Sequence, residues 1–251
     1  MIDIHTHILP HLDDGAKDST VSLALLQMQQ RQGVKTVVFT PHFYGKQYSP
    51  EHFLIKRNNA YAHMRKKFPQ GMEFRLGAEV HFTGINVLEY ADLCSLAIEG
   101  TKYLLMELPF TTKWTKDILS KVGEFAYETG YTPIIAHVER YREVRKNPAL
   151  VNELVDMGCL IQVNADAFLD KKDRSFVFAL LSHGLIHCIG SDTHDIKNRP
   201  PCMAIAKDAV ENAGYGEEWE KIQDIMQDVL ADKKVETEYA TPVKRFLGKY
   251  R

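Results

Sequence analysis

The sequence predicts a parallel α/β fold, closed or nearly closed into a barrel, and three observations lead there. Seven short apolar runs recur along the 251 residues, each followed by a stretch of helical periodicity. The runs are apolar on both faces, as expected of strands covered on either side and joined by helical crossovers. The length suits one barrel of about 250 residues. Because no linker-like stretch, internal repeat or low-complexity segment interrupts the pattern, residues 1–251 are expected to form a single domain.

The first strand is the short run around Ile2 and Ile4, where alternation sets His5 and His7 on one face. Asp13, Asp14 and Gly15 then bring carboxylates round in a tight turn. A helix is expected over 18–32, with Val21, Leu25 and Met28 at helical spacing, Asp18 or Ser19 as the N-cap and Gly33 as the stop. The second strand, 36–39, ends in Thr40-Pro41-His42, and a long polar helix covers about 51–67. The third strand is 74–81, and a less regular region spans 83–100. Four further strands are expected at 103–109, 132–137, 160–164 and 186–194, separated by helices near 115–129, 148–157 and 172–182. Two helices, about 202–213 and 217–232, follow the last strand.

Composition excludes several functions. A hydrophobic fraction of 45% and a charged fraction of 25% are ordinary for a soluble globular protein. A formal charge of −2 leaves no electrostatic footprint for nucleic acid or an anionic membrane. No run approaches the ~20 apolar residues of a membrane-spanning helix, and no basic-then-apolar leader precedes the first strand. Cys94, Cys159, Cys188 and Cys202 show no CxxC spacing and read as buried reduced thiols. A cytoplasmic location and no membrane insertion are therefore expected. The oligomeric state is not legible.

The functional signal lies where the strands end. His5 and His7, His42, Glu79, Glu107, His137, Asp192 and His194 each stand at or just after the carboxyl end of an expected strand. In a parallel barrel those ends share one mouth, so residues distant in sequence converge. Imidazole and carboxylate are the donors that suit manganese, iron and zinc.

These residues fall in motifs. His5-Thr6-His7 with Asp13-Asp14-Gly15, Thr40-Pro41-His42, Gly77-Ala78-Glu79-Val80-His81, Met106-Glu107-Leu108-Pro109, Ala136-His137-Val138-Glu139-Arg140-Tyr141 and Gly190-Ser191-Asp192-Thr193-His194 resemble the PHP (polymerase and histidinol phosphatase) superfamily. Within it, the likeness is to the bacterial protein-tyrosine phosphatases of capsular and extracellular polysaccharide operons. The resemblance runs from Met1 to about Arg199. It implies a distorted seven-stranded βα barrel, TIM-like in plan, with a metal site at the C-terminal rim of the strands. It also implies three divalent cations, manganese first, with iron, zinc or magnesium as alternatives. By motif position, His5, His7, Glu79 and Asp192 would hold the first cation. Glu79, Glu107 and His137 would hold the second, and Asp14, His42 and His194 the third. Asp14 and Glu107 stand where many relatives in the wider superfamily have His, as in the tyrosine-phosphatase branch. Arg140 and Arg199 correspond to arginines that bind the substrate phosphate. The implied substrate is the phosphotyrosine-bearing tail of a bacterial polysaccharide-assembly tyrosine kinase, attacked directly by a metal-bridging hydroxide.

The chemistry explains the residue types. A phosphate monoester repels anionic nucleophiles, and paired metals roughly 3.5–4 Å apart both make hydroxide near neutral pH and neutralise phosphoryl charge. Three divalent ions set against four carboxylates and one hydroxide leave the site about one charge positive, and two arginines bring it to roughly +3. Guanidinium forks fit phosphoryl oxygens in a bidentate way. Phenol, with a pKa of about 10, is a fair leaving group, so a strong general acid matters less. The segment 43–50 and Trp114 are read as solvent-exposed loop aromatics. His11, His52, His63, His81, His183 and His187 are read as surface or packed residues, Asn164 and Asp166 as support for the ligands, and the basic stretch 243–251 as a solvated end.

Other chemistries fit less well. A cysteine-dependent phosphatase needs Arg six positions after its Cys, but Gly100, Ala165, His194 and Asp208 stand there. A histidinol-phosphatase-like small-molecule phosphoesterase would share the metals and differ only in its cleft. An amidohydrolase would usually add a bridging Lys after a middle strand, where this chain has acidic residues.

Overall fold

All seven apolar runs enter parallel sheet, but two of them are broken, so nine strands replace the seven expected. The structure, a computed structural model, describes residues 1–82, 90–110, 114, 116–237, 240–246 and 249–250. In chain order the strands are β1 (Ile2–Thr6), β2 (Thr36–Phe39), β3 (His42–Phe43), β4 (Glu73–Leu76), β5 (Glu79–His81), β6 (Tyr103–Glu107), β7 (Thr132–Ile135), β8 (Leu160–Asn164) and β9 (Cys188–Gly190). One sheet runs β1-β2-β4 and the other β3-β5-β6-β7-β8-β9, every pairing parallel.

The breaks have local causes. Pro41 cannot donate to a ladder, and the Arg57 guanidinium takes the carbonyl of Gly77 at 2.7 Å. Pairing continues across both interruptions through Gly77 N–H to Phe39 O (2.8 Å) and Glu79 N–H to Pro41 O (3.1 Å). The two sheets therefore meet edge to edge at the Thr40-Pro41 and Gly77-Ala78 kinks. At the far side, His7 N–H donates to Thr193 O and Asp192 N–H to His5 O, both at 2.9 Å. The ends of β1 and β9 thus lie side by side, and the sheet curls round on itself.

The helices are α1 (Ser19–Arg31), α2 (Pro50–Met64), α3 (Tyr90–Cys94), α4 (Lys116–Thr129), α5 (Arg142–Lys146), α6 (Leu150–Asp156), α7 (Arg174–Ser182), α8 (Met203–Asn212) and α9 (Gly216–Leu230). Asp18 caps α1, its Oδ1 accepting from the N–H groups of Thr20 and Val21 at 2.9 Å each, and Gly33 ends it at φ 80°. Short α5 was not expected. The strands predicted at 103–109, 132–137 and 186–194 all stop earlier than the apolar pattern. Their last residues bend into loops, and those after β7 and β9 carry His137, Asp192 and His194.

The core is continuous between sheet and helices. Ile4, Val37, Val38, Leu105, Ile134 and Ile161 are wholly buried, each such side chain contributing roughly 1.5–3 kcal/mol. Phe39 stacks on Phe74 at 5.6 Å beneath α2. Helix α9 underlies β1 and β9: Gln223 accepts the Ile2 N–H at 2.8 Å, and its neighbour Trp219 is fully buried. The basic C-terminal stretch is not simply solvated. Short strands β10 (Arg245–Phe246) and β11 (Lys249–Tyr250) pair antiparallel, and the Tyr250 ring packs on Phe176 of α7 at 4.8 Å. Residues 83–89 of the irregular region, Thr115, and Leu247, Gly248 and Arg251 lie outside the described residues.

Candidate metal centre

Strand ends bring the expected ligands together. His5 and His7, two residues apart on β1, point the same way, and their Nε2 atoms stand 3.0 Å apart. Glu79 Oε2 lies 3.2 Å from each of them, and Asp192 Oδ1 lies 3.6 and 3.4 Å away. Register supplies the next pair: β3 aligns His42 with Glu79, and His42 Nδ1 comes to 2.9 Å from Glu79 Oε2. Just past β7 comes His137, its Nε2 2.8 Å from Glu79 Oε1, and the last residue of β6 adds Glu107 Oε1, 3.6 Å from the same nitrogen. Asp14 Oδ1 lies 3.4 Å from His194 Nε2 and 3.6 Å from His42 Nε2. His194 stacks on His7, ring centres 3.9 Å apart.

These spacings fit cations. Donors about 2.1 Å from one ion, at tetrahedral or octahedral angles, sit about 3.0–3.5 Å from each other. Among the described residues three overlapping groups bring one donor atom from each member within 4.8 Å of the others: His5, His7 and Asp192; His42, Glu79 and Glu107; and His7, Asp14, His42 and His194. Two close pairs, His42 Nδ1 with Glu79 Oε2 and His194 Nε2 with Asp14 Oδ1, are not aligned as hydrogen bonds, and His137 Nδ1 is buried without a hydrogen-bond partner. Orphaned buried donors and acceptors are costly, and bound cations would satisfy both pairs. Compared with the grouping implied by the sequence motifs, His42 stands close to Glu79 and Glu107 as well as to Asp14 and His194. His137 keeps its place beside both glutamates.

The electrostatics follow from packing imidazoles and carboxylates together in the dry interior. Burial alone would lower the pKa of His5, but the charges of Glu79 and Asp192 more than offset it and raise it. His7 is raised well above its ordinary value for the same reason, with Asp13 the chief attractive charge. Burial would raise Asp192 and Glu79, yet the neighbouring imidazoles hold both well below the carboxylate range.

Both expected arginines reach this rim. Arg140 donates to Asp192 Oδ2 at 3.1 Å with its guanidinium 4.9 Å over the Phe110 ring, and Arg199 also bonds to Asp192 Oδ2. Their side chains are 42% and 35% exposed, so each can meet a ligand from solvent. His137 and Asp192 have left-handed backbones, φ 33° and 51°. Strain of this kind in non-glycine residues concentrates at functional sites.

Some supporting roles escaped the sequence reading. Asp13 accepts from His7 Nδ1 (2.7 Å) and from the His42 N–H (2.9 Å). Asp3, fully buried, receives the Ser191 N–H at 2.8 Å and the Gln29 amide. His81 is not merely packed: register sets it opposite Glu107, whose Oε2 is 2.8 Å from its Nδ1. Gln162 and Asn164 face inward from β8, Asn164 in the supporting place expected of it. The available signal was two polar residues, i and i+2, in an otherwise apolar strand. Trp114, read as exposed, is buried, its Nε1 donating to Pro109 O at 3.0 Å and its ring lying against Tyr141. The four cysteines are free, three of them buried.

A curled parallel α/β sheet with imidazole and carboxylate groups clustered at one rim defines a class: α/β proteins with candidate sites for divalent cations. Over residues 1–228 the chain matches the family described as capsular polysaccharide synthesis, CpsB/CapC, and it belongs to that family. It is 33% identical over 216 residues to the tyrosine-protein phosphatase CpsB of Streptococcus agalactiae, covering 82% of this chain and 88% of that one. It is 34% identical over 207 residues to the tyrosine-protein phosphatase YwqE of Bacillus subtilis, covering 79% of each. Its fold matches, with a TM-score of 0.84 and 29% identity, a crystal structure from work on YwqE of B. subtilis and CpsB of Streptococcus pneumoniae, described as unique metal-dependent tyrosine phosphatases. That match covers 98% of this chain and 100% of the other.

Proposed function

We propose that this protein is a metal-dependent protein-tyrosine phosphatase acting on the phosphotyrosine tail of a polysaccharide-assembly tyrosine kinase in the cytoplasm. The observation that supports this reading most strongly is the meeting of three ligand groups and two arginines on one rim. The names of the relatives point the same way. Residues 1–251 are taken as one domain, and the two sheets as one distorted barrel of seven strand runs. Three divalent cations are assigned to the cluster, manganese first. Free thiols suit a reducing compartment.

Cations held by these residues would supply Lewis acidity, lowering the pKa of bound water and offsetting phosphoryl charge. The chain's own groups do the rest. Arg140 and Arg199 clamp the phosphate with charge-assisted hydrogen bonds, held ready by Asp192 Oδ2 and the Phe110 face. Asp13 holds His7 by Nδ1, so its Nε2 faces the centre. Phe110, Tyr141 and His137 stack into a wall that keeps water from one side.

The test is hydrolysis of a phosphotyrosine peptide with and without chelator, beside histidinol phosphate. Chelation is expected to abolish turnover and manganese to restore it, and the peptide is expected to be the better substrate. Replacing all four cysteines by Ser is expected to leave activity intact. Loss of turnover in that variant, with fold and metal content unchanged, overturns the mechanism. Preference for histidinol phosphate overturns the substrate assignment.

A further inference from the structure

Gln162 sits midway along β8, wholly buried, and its amide is shared among His5 of β1, His137 just beyond β7 and Asn164 of its own strand. The backbone N–H of His137 can only donate, and it lies 2.7 Å from Gln162 Oε1. That contact fixes which end of the amide is oxygen, an assignment that otherwise rests on the surrounding network. The same Oε1 is 3.2 Å from His5 Nδ1. His5 must therefore carry its proton on Nδ1, which leaves the lone pair on Nε2, the atom facing His7, Glu79 and Asp192. At the other end, Gln162 Nε2 donates to Asn164 Oδ1 at 3.0 Å, which turns Asn164 Nδ2 to donate to Asp192 Oδ2 at 2.8 Å. Asp192 Oδ2 also takes both arginines, while Oδ1 remains on the side of His5 and His7.

We propose that Gln162 is a positioning residue that selects the His5 nitrogen open to a cation and, through Asn164, the Asp192 oxygen left free for it. Every donor direction in this chain of four side chains follows from one backbone N–H. The same bond pins His137 in its left-handed turn. Where Asp13 orients His7 with a carboxylate, Gln162 does so for His5 without adding negative charge to a centre already rich in it. The inference rests on the reading that His5 and Asp192 hold a cation.

The test uses protein labelled with ¹⁵N-histidine and loaded with zinc alone. Long-range ¹H–¹⁵N correlation reads which His5 nitrogen carries the proton, and competition with a chelator of known affinity reads zinc binding. Wild type is expected to show His5 protonated at Nδ1. Gln162→Leu is expected to lose that signature and to bind zinc about 10–100-fold more weakly. In Gln162→Glu two oxygens still accept from the His137 N–H and from His5 Nδ1, but nothing donates to Asn164. This variant is expected to keep the His5 signature while binding zinc more weakly than wild type. A purely structural role would lower melting temperature without moving the tautomer. Gln162→Leu with an unchanged His5 signature and zinc affinity within about twofold of wild type overturns the proposal. If the Leu variant does not fold, wild-type zinc affinity in Gln162→Glu overturns it instead. Failure of wild type to take up zinc would sink the metal reading itself, a result distinct from equal binding by wild type and variants.

Discussion

Gly190 ends β9 against the backbone of β1, and replacing it by Ala tests the geometry most directly. A Cβ at that position would lie 3.1 Å from His5 N and 3.2 Å from His5 Cα, and closer still to His5 Cβ. Comfortable carbon contacts are about 3.5–4.0 Å, so β1 and β9 would have to part by about 1 Å to clear the His5 Cβ. None of the obstructing atoms is the far end of a flexible side chain. The two 2.9 Å backbone bonds that join these strand ends, His7 to Thr193 and Asp192 to His5, lie immediately beyond the clash. Overpacking of this kind destabilises by about 1–3 kcal/mol, which a domain of this size is expected to survive. Misplacing reacting groups by about 1 Å can lower turnover about 100-fold. Gly190→Ala is therefore expected to fold, melt a few degrees lower, and lose roughly two orders of magnitude in kcat/KM on a phosphotyrosine peptide. Melting curves and steady-state kinetics on the same preparation decide the matter. A variant with wild-type turnover would refute the claim that His5 is placed by this contact.

Three further outcomes follow from the same geometry. Asp13→Ala removes the acceptor for His7 Nδ1 and is expected to weaken metal binding about 10–100-fold by chelator competition; unchanged affinity would remove Asp13 from the support of His7. Arg199→Ala is expected to raise KM for the peptide, or to lower kcat if its phosphate contact forms mainly in the transition state, and retention of both parameters would take Arg199 out of the site. In metal-free protein the raised pKa values of His5 and His7 add stability below their ordinary value of 6.5, and that stability is lost as pH rises through the folded values. The lowered values of Asp192 and Glu79 add stability above the ordinary carboxylate range, lost on acidification. The metal-free protein should thus melt highest between about pH 4 and 6.5, while stabilisation by added manganese should grow with pH as the cation displaces imidazole protons. A metal-free melting temperature that climbs steadily from pH 6 to 9 would contradict this.

Much of this was legible from residue order because strand ends and ligands coincide. His5 and His7 follow from alternation, and His42 and Glu79 from the shared mouth of a parallel sheet. What could not be read was interruption. The pattern 74–81 looks continuous, and nothing in its composition announces that Arg57, a residue of another element, draws off the Gly77 carbonyl. Early strand termination at Ile135 and Gly190 was hidden for a similar reason: the residues beyond are as apolar or as small as those within, and tertiary contacts decide where pairing stops. Asp3 and Gln162 were missed because a buried polar residue two positions before another in a strand shows its role only once its partners are known. The C-terminal stretch misled through charge, since its cationic residues concealed a tyrosine that packs on α7.

The left-handed turns at His137 and Asp192 set use against comfort. Each non-glycine residue held in that conformation costs about 1–3 kcal/mol, whereas glycine would adopt it freely. Relatives of this chain that had abandoned catalysis could relax by accepting glycine at 137 or 192, and would become sturdier as they fell silent. Imidazole at one position and carboxylate at the other therefore come at a cost in stability that the scaffold alone does not require.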